Sequence, residues 1–170
     1  MESTDFLYVI ILVLIIGFFV FITFSQKKNN PAGNVLPAAD SGTRQLQLQA
    51  YERLVLLVDR IALPNIISRV NQPGITAREM QLVLIQTIRQ EFDYNITQQI
   101  YVSKESWDAV KNLKEQNILV INQFTNTLPP QSTGLDLNKL LLEYLMNNKK
   151  GSLHEVVSEV IGYEAKKLLV

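Results

Sequence analysis

Ile75–Ser103 reads ITAREMQLVLIQTIRQEFDYNITQQIYVS, and the spacing inside this stretch decides the fold class. Thr76-Ala77-Arg78-Glu79 is a capping box: the threonine oxygen takes an orphan amide of the first turn while the glutamate reaches back to the threonine amide. Behind it Met80, Leu84, Ile88, Phe92, Ile96 and Ile100 recur every four residues. Each four-residue step overshoots a full helical turn by about 40°, so the apolar row winds around the helix and must meet more than one neighbour. The pattern predicts a central helix running to about Val102 within an all-α domain.

On its N-terminal side, helical periodicity starts at Arg44. A first helix is expected from Arg44 to Leu63, capped by Thr43 or Ser41 and stopped by Pro64. Ala50, Tyr51, Leu54, Leu57, Val58 and Ile61 share one face, and Glu52, Arg53, Asp59 and Arg60 share the other. Leu56 falls inside the charged strip, either as a lone exposed leucine or as part of a docking surface. A short helical piece from Pro64 to Asn71 then leads into a turn at Gln72-Pro73-Gly74.

On the C-terminal side, Ser103 is a good cap for a helix from Lys104 to about Leu128, ended by Pro129-Pro130. Its stripe is Trp107, Val110, Leu113, Val120, Ile121 and Phe124, with Asn117 near the middle. The favoured reading of Asn117 is an amide tolerated where the stripe reaches solvent. The sharper one is a buried amide that fixes register or partner choice. A polar loop, Pro129 to Gly134, precedes an expected C-terminal helical hairpin. One arm spans Leu135 to Asn148 and ends in Lys149, Lys150 and Gly151. The other opens at a capping box, Ser152-Leu153-His154-Glu155, and uses Leu153, Val156, Val157, Val160, Ile161 and Leu168. The expected domain, residues 44–170, is a bundle of about five helices without internal repeat or sustained heptads.

The N-terminal end has a different character. Phe6–Phe24, FLYVIILVLIIGFFVFITF, carries no charge over nineteen residues. As a helix it spans roughly 28 Å, close to the hydrocarbon thickness of a bilayer. The preceding MESTD is acidic and no small-x-small site closes the run, which argues for a retained transmembrane helix over a cleaved signal peptide. Glu2 and Asp5 precede the run and Lys27 and Lys28 follow it, so residues 1–5 are expected to cross as a short extracytoplasmic tail and the remainder to stay in the cytoplasm. Residues 25–43, SQKKNNPAGNVLPAADSGT, read as a flexible linker of about 24 Å mean span.

Composition closes several avenues. The 170-residue chain carries sixteen basic and sixteen acidic side chains and no cysteine. A near-neutral domain lacks the positive field that gathers nucleic acid, and no basic cluster marks a lipid-headgroup site, so no nucleic-acid partner is expected. Thiolate metal sites and a cysteine nucleophile are excluded. His154 is the only histidine, so a zinc or triad site has no second imidazole. Glu91 and Asp93 are two apart and point to different sides of a helix. Glu155 and Glu159 share a face and read as a solvated acidic strip. Phosphate-cradling glycine loops are absent. Asn95-Ile96-Thr97 matches a glycosylation pattern but falls mid-helix on the expected cytoplasmic side. Tyr94, Tyr101 and Trp107 read as junction packing. No catalytic residue, metal or cofactor is expected, and the chain is not expected to be an enzyme.

The segments LQAYERLVLLVDRI and ITAREMQLVLIQTIRQEFDYNITQQIYVSKESWDAVKNLKEQ, following a span and a tether, resemble a family of uncharacterised single-pass membrane proteins of the Bacteroidota, best from Leu46 to Gln116. The resemblance, with QQIYVS at a helix junction, implies a bacterial inner-membrane location and no activity. The functional expectation is a membrane-tethered helical interaction or scaffold domain that binds a protein partner or itself, with Leu56 and Asn117 as candidate positions for the partner surface. The alternative is a small accessory subunit of a larger membrane complex, assembled through its transmembrane helix.

Overall fold

The computed structural model describes residues 41–147 and 153–169. The expected span at Phe6–Phe24, the tail before it and the linker as far as residue 40 lie outside the described residues. Among the described residues no helix is long and apolar enough to cross a membrane, and no strand is present.

The described residues form six α-helices, where about five were expected. The first, α1 (Ser41–Ile61), starts three residues before Arg44 and takes the end of the expected linker into its first turn. Its buried residues are Ala50, Tyr51, Leu54, Leu57, Val58 and Ile61, the face that the periodicity marks. Pro64 then ends the run, because a proline ring has no N–H and collides with the carbonyl four residues back. Ala62 turns extended at φ −56°, ψ 128°, and α2 (Leu63–Val70) restarts with the proline in its first turn.

That break orphans the last carbonyls of α1, and side chains from outside the helix satisfy them. Asn65 Nδ2 donates to Asp59 O at 3.0 Å and Arg69 Nη2 to Arg60 O at 3.1 Å. Asn117 Nδ2 donates to Ile61 O at 2.8 Å from inside the core. Asn117 is therefore buried, at 6% exposure, as the sharper of its two readings requires. The expectation that it sits where the stripe meets solvent is corrected: an unpaired carbonyl of a broken helix holds it inside.

Gly74, at φ 83°, closes the turn that leads to α3 (Ala77–Tyr94), and both halves of the Thr76–Glu79 capping box are formed. Met80, Leu84, Ile88 and Phe92 are buried, but the helix stops eight residues short of Val102. Asn95 folds back to stop it, donating its side chain to Glu91 O at 2.9 Å and its amide to Phe92 O at 3.0 Å. The chain tightens into a 3₁₀ turn, Ile96–Ile100, beside α1. Ile96 and Ile100 remain 41% and 71% exposed, since no neighbour continues the row.

Ser103 caps α4 (Lys104–Thr127), and its amide donates to the buried Tyr51 hydroxyl at 2.9 Å. Gln81 Nε2 donates to Asn122 Oδ1 at 2.6 Å, joining α3 to α4. A further capping box, Thr133 with Asp136, opens α5 (Gly134–Asn147). The two boxed helix starts are tied together: Ala77 N donates to Ser132 O at 2.9 Å and Gly134 N to Ile75 O at 2.8 Å. Helix α6 (Leu153–Lys167) buries Val157 and Ile161. The expected hairpin does not form as a side-by-side pair. Helix α6 packs on α1 and α4, whereas α5 packs on α2, α3 and α4. Each C-terminal helix is thus part of the main core, where burial against several elements removes more apolar surface than mutual pairing would.

Candidate functional site

The break at Pro64 also shapes the surface. By turning α2 back across the end of α1, it brings Arg69 beside Arg60, and both reach Glu91 of α3. Arg60 grips Glu91 with two parallel bonds, Nε to Oε2 at 2.7 Å and Nη2 to Oε1 at 2.6 Å, and Arg69 Nη2 adds a third at 3.2 Å. This bidentate fork is the geometry in which guanidinium and carboxylate bind best. Hydrogen bonding to Glu91, then its charge, raises the Arg60 pKa above its ordinary value.

Beside this cluster α1 and α3 diverge into an open groove of about 640 Å³. Arg53, Leu56, Leu57 and Arg60 line one wall, and Gln90, Glu91, Tyr94 and Asn95 the other. Leu57 is buried, while Leu56 and Tyr94 stand 62% and 81% exposed. Arg53 makes no ion pair among the described residues. Arg53 and Arg60 line the groove with Glu91 as the one carboxylate, so its lining carries one positive charge in excess.

The arrangement can bind but has little chemistry to offer. Arginine does not give up its proton at accessible pH, and Glu91 is engaged by two guanidinium groups instead of facing a substrate. What remains is an apolar surface edged by surplus guanidinium, suited to a carboxylate carried next to an apolar side chain.

Leu56 is exposed and lines this groove, as either reading of it, a lone exposed leucine or a docking position, requires. Asn117 does not join it. Tyr94, Tyr101 and Trp107 have separate fates: Trp107 stacks on Phe92 at 5.0 Å, whereas Tyr94 and Tyr101 are exposed. The arginine cluster had no local signal, because its members are 31 and 22 residues from Glu91. The one available clue was Pro64, which obliges the chain to turn where Arg60 ends and Arg69 follows. Among the described residues no group of three or more metal-ligating side chains gathers.

The chain belongs to a family described as "Family of unknown function (DUF7935)", whose profile matches residues 1–168. The family thus includes the two C-terminal helices as well as the Leu46–Gln116 stretch. No curated protein and no solved structure matches the chain.

Proposed function

For this member of a family of unknown function, we propose a non-catalytic, membrane-tethered interaction domain that docks a protein partner in the groove between α1 and α3. Phe6–Phe24 is its anchor, and the helical domain works on the cytoplasmic side of a bacterial inner membrane, N-terminus out. The observation that carries the reading is Arg53 and Leu56 standing exposed in one groove whose neighbouring guanidinium groups outnumber their carboxylate. The matching partner presents an Asp or Glu beside an apolar side chain.

Affinity purification of the full-length chain from detergent extract tests it. A defined partner should be recovered with the wild type and lost with Arg53→Glu and with Leu56→Asp, both at exposed positions that leave the core intact. Equal recovery with all three chains would overturn the docking site. The uncharged nineteen-residue run motivates the alternative, an accessory subunit assembled through its span. Exchange of Phe6–Phe24 for an unrelated apolar span separates the two, since groove docking survives it and span-mediated assembly does not.

A further inference from the structure

One face of α5 is apolar where a solvated helix carries charge. Leu135, Leu142 and Met146 are 66%, 36% and 80% exposed, and with Lys139 they fall within about 60° of arc at a helical 100° per residue. With Ile67 and Ser68 of α2 and Asn71 just after it, this face lines an open groove of about 540 Å³. At its base Asn138, 3% exposed, donates Nδ2 to Asn71 Oδ1 at 3.0 Å and leaves its own Oδ1 without a hydrogen-bond partner. A buried acceptor in that state is costly. The Lys139 ammonium stands 3.9 Å from the Glu143 carboxylate, too far for a hydrogen bond and able to exchange for a better partner.

We infer that a second copy of this chain occupies the groove, with the two α5 helices antiparallel about a two-fold axis passing between Leu140 and Leu141. A two-fold contact must be self-complementary, residue i meeting j and j meeting i. The stripe satisfies that condition. Leu135 falls opposite Met146 of the second copy, and Lys139 falls opposite Leu142, one residue from the second copy's Glu143. Every apolar residue meets the stripe again and both lysines meet carboxylates. Parallel pairing would instead set Lys139 over its own copy, with like charges opposed in the middle of an apolar seam. An anionic lipid surface is a poorer match, because the face offers one lysine with a glutamate beside it. A single helix pair plus the α2 wall is a small contact, so the dimer is a reversible one.

The absence of cysteine from the chain makes the test clean. Full-length chain in mild detergent is prepared as Leu135→Cys, Met146→Cys and, as a control on the exposed flank of α3, Leu82→Cys. Under mild oxidation, differently tagged Leu135→Cys and Met146→Cys copies should form mixed disulfides when combined. Neither should cross-link with itself, because the antiparallel axis separates like positions by about 16 Å. Adding Lys139→Glu to both should lower the mixed yield about tenfold, as two exposed ion pairs become repulsions, and adding Glu143→Lys as well should restore it. No mixed product, a yield no greater than with Leu82→Cys, or Met146→Cys joining its own kind would each overturn the proposal.

Discussion

Asn117 of α4 donates its side-chain amide to the main-chain carbonyl of Ile61, at the last residue of α1, over 2.8 Å and out of contact with water. The helix broken by Pro64 is thereby finished by a different helix. The bond ties α4 to the point where Pro64 makes α2 depart, and the departure of α2 carries Arg69 to Glu91. Core packing and groove geometry share that one amide.

Asn117→Ala should destabilise the domain by about 1–3 kcal/mol, the cost of leaving a buried carbonyl unpaired. Urea unfolding followed through Trp107, the single tryptophan, reads the change directly because its ring stacks on Phe92. A loss under 0.5 kcal/mol by the same general scale, about that of a neutral surface change, would show that the bond contributes little.

Much of the fold was legible because it is written in local chemistry. The buried face of α1, the Thr76 box, the Ser103 cap and the proline stops each depend on residues within a turn or two of one another. The readings that failed depend on distant partners. The four-residue row beyond Phe92 looks like helix, but no neighbour arrives to bury Ile96 and Ile100, and Asn95 ends it. The two C-terminal arms have the form of a hairpin, yet the main bundle offers each a larger apolar surface. Of the candidate site only Leu56 showed, as an apolar residue among charges. The Arg60–Glu91–Arg69 cluster joins three helices and has no period.

Gly134 starts α5 where α3 passes close by. A Cβ built there would lie 3.0 Å from Met80 Cβ and 3.1 Å from Ile75 Cγ1. Both lie near the backbone and yield little, so Gly134→Ala should cost about 1–3 kcal/mol despite the better helix propensity of alanine. The same urea titration checks it, and a stabilised variant would contradict the close approach.

The two facing capping boxes give the domain an acid-sensitive element. Backbone and side-chain hydrogen bonds from Thr76 hold the Glu79 carboxyl below its ordinary 4.5, and those from Thr133 hold Asp136 below its ordinary 3.8. Such a carboxyl takes a proton more readily unfolded than folded, so its contribution is complete above those ordinary values and is lost as pH falls through the lowered ones. Stability should decline from about pH 4.5 downward, and Thr76→Ala with Thr133→Ala should lose part of that slope while being less stable near neutrality. Thermal melts of both chains across pH 2.5 to 7, as an approximate range spanning these transitions, decide it; parallel curves would contradict the assignment.

Asn138→Leu removes an unpaired buried acceptor for a side chain of similar size, while its partner Asn71 is exposed and turns to water. The variant should gain about 0.5–2 kcal/mol in urea unfolding. A loss of stability would mean that Asn138 is better satisfied than its surroundings indicate.

Site-specific photo-crosslinking in living cells tests partner docking between α1 and α3 most directly. A photoreactive residue at position 56 should give a discrete adduct that disappears with Arg53→Glu, while the same residue at position 82 gives none. Adducts of equal pattern from both positions, or none from position 56, would contradict the account.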